Sequence, residues 1–332
     1  ENSNVIVGEN DAQTGSRGVF EILNAGSVFE QADGANITIV RQQQSPSVAA
    51  LYLEPGTSNL GLGSSITFGN TNTPADQTMG INSNVPLKNI IVNSNNAPTV
   101  QMQIRNLTIE EDLNIESSST FDANGLNLNI EGDFTNSGTF SSNGNTTTFN
   151  GTDDQTITGN TSFYNLIKPT NNKLGIEETT TDSIYVDNNF RIKGGTFADS
   201  SNAIMVRGNL FIDGTHVYGG TGNGIEMDGS VEQEISGNGT LGKFTISNPY
   251  GAVVLEGNEI TISEALNLNG GILDVGANLL NLGVNAEIIA GEPFGSTNMI
   301  QTNTSFTDNG VRKILPSTAD AGGAYNYKIP IG

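Results

Sequence analysis

The chain repeats itself. FNGTDDQTITGN runs from Phe149 to Asn160, and MDGSVEQEISGN runs from Met227 to Asn238. Both hold an apolar opener, a Gly, a Gln, an Ile and a Gly-Asn at matching places. A wider echo surrounds them. Ile184-Tyr-Val186 matches Ile260-Thr-Ile262, and Phe190-Arg-Ile192 matches Leu266-Asn-Leu268. Lys193-Gly-Gly195 matches Asn269-Gly-Gly271, and Ile204-Met-Val206 matches Leu280-Asn-Leu282. These four pairs share one offset, 76 residues. An upstream copy places Leu107-Thr-Ile109 and Leu113-Asn-Ile115 similarly, and Gln77-Thr-Met79 belongs to a looser one. Self-similarity at a fixed long period is the mark of a stacked architecture.

Local pattern gives the stacked element. ITISEALNLNGGILDV and LNLNIEGDF alternate apolar and polar residues. Period two means half-buried strand. The strand-like pieces are short and end in Gly, Asn, Asp or Ser, which accept the backbone conformations of sharp corners. No apolar stripe has helical period. A sandwich needs no long-range echo, and a propeller blade has a shorter period and its own signatures. The expected fold is all-β, a right-handed parallel β-helix (solenoid) with about three short strands per coil. The repeated Ile, Leu and Phe positions then form inward ladders, each stacked on its equivalent. Gln155 and Gln233 read as corner or backbone-capping side chains. Residues 1–290 form the β-helix, with an irregular insertion near 41–63. Residues 291–332, with Pro293, Pro316, Pro330 and the Arg312-Lys313 pair, form a terminal coil or a junction to a following domain.

Charge narrows the partners. The formal net charge is −22, from 13 basic and 35 acidic residues. A nucleic-acid binder needs a basic face to replace phosphate counterions, so no nucleic-acid role is expected. The same field repels polyanionic glycans and anionic lipid. Neutral glycans, protein receptors and divalent cations remain. There is no Cys, which removes disulfides and thiolate sites. No apolar run approaches the ~18 residues of a membrane span, so no membrane insertion is expected. ENSNVIVGEN at the start carries no signal-peptide pattern.

Candidates for chemistry are few. His216 is the single histidine. Any Ser-His-Asp arrangement would need it, and no nucleophile elbow accompanies it. It reads as an ordinary strand or surface residue. The acidic clusters Glu110-Glu-Asp112, Asp153-Asp154 and Glu177-Glu178 read as solvated faces. Glycoside hydrolysis needs two carboxylates ~5–9.5 Å apart, and neighbouring coils could supply them. Gly219 to Glu226 begins like a calcium-binding nonapeptide, but Gly224 stands where Asp is required. No catalytic residue and no cofactor are therefore assigned. Metal ligands stay open, with loose Ca²⁺ binding through carboxylate and carbonyl oxygens as the expectation.

NLTIEEDLNI, LNIEGDFTNSGTF, TTFNGTDDQTITG and LNLNGGILDVGANLLNLG together resemble the β-helical repeat regions of large Bacteroidota cell-surface adhesins, many exported by the type IX secretion system. Phe134, Asn136, Gly138 and Phe140, then Phe149, Gly151, Gln155, Ile157 and Gly159, sit at the places of that pattern. Ile329-Pro-Ile-Gly332 resembles the segment that often follows such repeats. The resemblance covers about residues 64–332. It implies an extracellular protein of the bacterial cell surface, part of a longer chain or assembly. Asp182-Ser183-Ile184 fits the Asp-Ser/Thr-apolar O-glycosylation pattern of that phylum, which makes Ser183 a candidate acceptor. The expected function is a non-enzymatic structural and adhesive stalk that binds a neutral glycan or protein receptor multivalently. The rivals are a β-helical glycoside hydrolase or polysaccharide lyase, and a filament subunit.

Overall fold

The computed structural model describes every residue except 1–2, 10–18, 43–47, 179–181, 255–257, 291–293, 303–308, 318–326 and 332. Pro293 and Gly332, singled out above, lie outside the described residues. Among those described, every regular element is a strand and no helix occurs. Neighbouring strands pair in parallel, and the fold is a β-solenoid. Contacts divide the chain into two compact units, Glu1–Asn165 and Leu166–Gly332.

In the first unit one ladder runs through strands Asn4–Val7, Asn36–Ile39, Ser65–Phe68, Asn89–Val92, Leu113–Ile115, Phe134–Asn136 and Gln155–Thr158. Its register aligns Val5, Ile37, Ile66, Ile90, Leu113, Phe134 and Ile157 in one column. From Ile37 onward every member is buried. A second face aligns Met79, Val100, Phe121 and Phe140. A third aligns Ile109, Ile130 and Phe149. Each coil thus contributes three strands, as the alternation implied. Strict in–out alternation buries one side of each strand, and parallel pairing puts like on like.

Coil length varies. Successive members of the first column lie 32, 29, 24, 23, 21 and 23 residues apart. In the two long steps the third strands, Val28–Gln31 and Thr57–Leu60, pair with each other as a separate ladder, and in the next coil a single bridge from Leu87 to Ile109 takes that place. The 41–63 segment also supplies Leu51–Leu53, which pairs with Phe20–Ile22 and with part of Thr78–Ser83. It is an irregular coil that keeps a strand in the stack. Farther along, four phenylalanines close the core. Phe134 lies 5.6 Å from Phe140, 6.2 Å from Phe149 and 5.7 Å from Phe163, measured between ring centroids. Such tilted and edge-on contacts add to area burial.

The second unit has three columns as well. One is Leu166, Phe190, Leu210, Ile235 and Val254, the last following from the Ile235 register. Another begins Leu174, Phe197, His216 and continues through Leu241, Ile262 and Leu282. The third is Ile184, Ile204, Ile225, Phe244, Leu266 and Ile288. The segment after Gly291 continues the stack: Ile300–Thr302 pairs with Leu273–Gly276, and Gly310–Lys313 pairs with Leu279–Leu282.

These columns correct one expectation. Ile184 stacks in line with Leu266, while its sequence echo Ile260 sits on the adjoining face, paired with Leu280. Both are buried, as are Ile204 and Leu280. The echo spans eleven strand segments from Ser183–Val186, with Thr240–Ile246 contributing two of them. At three strands per coil, eleven falls one face short of four full coils. The repeated unit is therefore a strand-and-corner module that serves any face, and true stacking follows the shorter coil step.

Phe134→Ala removes a ring held by three others, so it is expected to lower unfolding free energy by about 3–5 kcal/mol. Outward-facing Thr135→Ala should change it by no more than about 0.5 kcal/mol. Urea unfolding followed by circular dichroism measures both.

Candidate functional site

The repeated twelve residues build a corner. In the first unit, the Gln155 Nε2 donates to the carbonyls of Ile130 at 3.0 Å and Gly132 at 2.6 Å, both in the preceding coil. Its Oε1 accepts the Gly151 N–H at 3.0 Å. In the second unit, Gln233 Nε2 donates to the carbonyls of Val206 at 2.9 Å and Gly208 at 2.5 Å, and Oε1 accepts the Gly229 N–H at 2.9 Å. Both glutamines are buried. The paired glycines have their own reason. Gly159 and Gly237 adopt φ of 93° and 100°, and a Cβ there would lie 1.9 Å from the Asn136 carbonyl oxygen and 2.1 Å from that of Ile212. The capping role expected of the glutamines is what the structure shows. Gln77, in the looser copy, differs: its Oε1 accepts the Gln42 N–H at 2.8 Å, and Gln42 Oε1 accepts the Gly80 N–H at 2.9 Å.

A second device went unread in the sequence. Asn89 Oδ1 accepts the Asp112 N–H at 3.0 Å, Asp112 accepts that of Asp133 at 2.8 Å, and Asp133 accepts that of Thr156 at 2.7 Å. In the second unit Asn209 does the same for Glu234 at 3.0 Å, and Asp213 for Asn238 at 2.9 Å. Each side chain caps a backbone donor one coil further along. For Asn89, Asp112, Asp133 and Asn209 the signal that could have revealed it is an Asn or Asp immediately before an apolar strand residue; Asp213 precedes Gly214 instead. The cluster Glu110-Glu-Asp112 is thus largely structural. Lys88 Nζ lies 3.1 Å from the Glu110 carboxylate and 3.6 Å from that of Glu111, and Glu111 also accepts the Gly63 N–H at 3.0 Å. Burial pushes the Glu131 carboxyl above the ordinary range, the Glu110 carboxylate adds to the rise, and Lys88 opposes it. Asp153 and Asp154 are exposed, and Glu178 lies 3.8 Å from Lys173.

The remaining candidates fall apart from one another in role. His216 is a strand residue that points inward, stacked after Phe197 and buried. Its Nε2 lies 2.9 Å from Asp199 Oδ2. Asp199 Oδ1 accepts the N–H groups of Ser201 at 2.9 Å and Gly219 at 2.7 Å. Among the described residues Nδ1 meets no hydrogen-bond partner, so no described hydroxyl engages it. In the Gly219–Glu226 loop, the Gly222 carbonyl accepts the Lys243 ammonium at 2.6 Å, and the Asn223 carbonyl accepts the Thr245 hydroxyl at 2.7 Å. Two oxygens that could face a cation are thereby engaged by protein donors. Among the described residues no three His, Asp or Glu side chains converge as a metal site. Ser183 opens strand Ser183–Val186 and is half-buried, with the Asp182 N–H donating to Asn202 Oδ1 at 2.6 Å. Residues 179–181 just before it are outside the described set.

The outward side of the second unit carries cations set against rings and carboxylates. Arg207 stacks over the Tyr185 ring at 4.9 Å, pairs with Asp187 at 2.6 Å and reaches Asp228 at 4.0 Å. Burial raises the Asp228 carboxyl, and Arg207 partly offsets that rise. On another face Arg191 lies 6.0 Å from the Phe211 ring centroid beside a groove of about 210 Å³. These cross-coil sets join residues about 20 positions apart, which no local motif announces. The chain matches no protein-family description, no curated protein and no solved structure, so its function is argued from these residues.

Gln233→Leu strands the Gly229 N–H and the Gly208 carbonyl, while the Val206 carbonyl keeps the Asp228 N–H. At about 1–3 kcal/mol for a buried group left unsatisfied, a loss of about 3 kcal/mol or more is expected in urea unfolding. Gln233→Glu should be at least as damaging, because a carboxylate cannot donate to those carbonyls. For Glu131, the folded carboxyl titrates above the unfolded one. Its ionised form therefore weakens the fold above the folded pKa, and the penalty fades as pH falls to the unfolded value near ~4.3. Glu131→Gln should raise the Tm at pH 7 and leave it unchanged at pH 3.5 in a calorimetric series.

Proposed function

We propose that the chain is a non-enzymatic structural and adhesive stalk of a bacterial cell-surface adhesin, holding neutral glycan or protein receptors through many weak contacts. The observation that carries this reading is the use of the polar side chains. Gln155, Gln233, Asn89, Asp112, Asp133, Asn209, Asp213 and Asp199 each bond backbone in the fold, so the groups that might have done chemistry are engaged in holding coils together. Outward strand positions carry Tyr185, Arg191, Phe211 and Glu234, and these positions recur at coil spacing. A regular array of weak contacts gains strength through multivalency. The resemblance to Bacteroidota adhesin repeats supports an extracellular, surface-bound setting, and the charge of −22 disfavours polyanionic receptors.

Beads bearing the chain at graded density, flowed over a desialylated, unsulfated glycoprotein, dextran and heparin, test the proposal. Retention should rise steeply with density on at least one of the glycoprotein and dextran and be absent on heparin. Retention on neither neutral surface, retention on heparin, or release of reducing sugar from dextran or the glycoprotein by the soluble chain would overturn it.

A further inference from the structure

The groove beside Phe211 spans three strands of the second unit. Arg191, Phe211 and Ser236 face outward at one register, on strands Phe190–Ile192, Leu210–Ile212 and Gln233–Ser236. Asn189, Asn209 and Glu234 line its other side, and its volume is about 210 Å³. Drug-sized ligands occupy pockets of roughly 300–1,000 Å³, so this groove suits one ring. Strands are spaced ~4.8 Å apart, and a single pyranose covers the step from Phe211 to either neighbour.

Its chemistry is complementary to a sugar. The half-buried Phe211 ring offers an apolar face to a pyranose C–H patch. Arg191 only donates hydrogen bonds and ionised Glu234 only accepts them, while Ser236 and Asn209 do both. A hydroxyl, which donates and accepts, can meet each of them. Arg191 forms no ion pair with a carboxylate among the described residues, although most described cations of this acidic chain do or bond carbonyls. Glu234 is held in place: its N–H donates to Asn209 Oδ1 at 3.0 Å, and Asn209 Nδ2 lies 3.4 Å from its carboxylate. One positive and one negative group at opposite ends of the groove select against a ligand of either sign.

We infer that this groove is a binding site for a single neutral pyranose, with Phe211 as the stacking platform and Arg191 and Glu234 as hydroxyl partners. The inference rests on the adhesive reading and gives it a specific contact.

Saturation-transfer NMR with the full chain tests it, using the methyl glycosides of glucose, galactose, mannose and N-acetylglucosamine, with glucuronate as the charged comparison. At least one methyl glycoside should show transfer to its ring protons, and its affinity should fall about tenfold or more in both Phe211→Ala and Arg191→Ala. Glucuronate should bind more weakly than the best neutral sugar. Arg191 is exposed, so Arg191→Ala decides the matter if Phe211→Ala loses its native circular-dichroism spectrum. Transfer to none of the four glycosides, unchanged affinity in the folded variants, or preference for glucuronate would overturn the site. The bead assay separates the two claims: if Arg191→Ala beads are held as well as the parent, the groove is wrong and the adhesive reading stands. If parent beads are not held while the glycoside still binds at the groove, the reverse is true.

Discussion

Each coil turns three times, and at each turn backbone groups leave the ladder. A buried or shielded peptide group left without a partner costs as much as a lost hydrogen bond. The rest of the fold depends on how that is met. In both units a side chain reaches across one coil step to a stranded N–H or C=O. The glutamines do it for carbonyls and a glycine N–H together. Asn and Asp do it for an N–H at or just before the start of the next coil's strand. Inward ladders supply the apolar burial, but these caps let short strands stop and turn without leaving the stack.

This accounts for a composition that otherwise looks odd. A carboxylate accepts without needing a proton, and it bonds a backbone N–H more strongly than a neutral amide does. Asp112 and Asp133 are acids for that reason, and part of the acidic excess is the consequence. The repulsion among them is local and screened beyond about 10 Å at 0.1 M salt. The few cations are placed against it: Lys88 sits between Glu110 and Glu111, and Arg207 between Asp187 and Asp228. In the Glu110-Glu-Asp112 cluster, Glu111 and Asp112 accept backbone N–H groups, and Glu110 is paired with Lys88.

Period and corners were legible in the sequence because both are local. Alternation told which residues of ITISEALNL face inward, and Gly-Asn told where the chain turns. The Gln caps were legible because the motif occurs twice. What lay hidden was anything set by coil length. The 76-residue echo was strong, yet the stacking step is 19–25 residues along the Leu166, Phe190, Leu210, Ile235, Val254 column, so Ile184 meets Ile204 and not Ile260. His216 and Asp199 are 17 residues apart and meet because one coil is nearly that long. Coils of unequal length make such meetings unreadable until the register is known.

Register also explains where specificity can reside. Inward positions are mostly apolar, with His216 as an exception, and corner positions cap, so both are tightly constrained. Outward strand positions answer to neither demand. Arg191, Phe211 and Ser236 occupy equivalent outward places on successive strands and share no chemistry, whereas the inward residues beside them, Phe190, Leu210 and Ile235, are all apolar and buried. A scaffold of this kind can change what it presents, one coil at a time, without touching what holds it together. Under the adhesive reading proposed above, contacts formed by such positions would be few per coil and weak one by one, and a stack of coils would supply them in series.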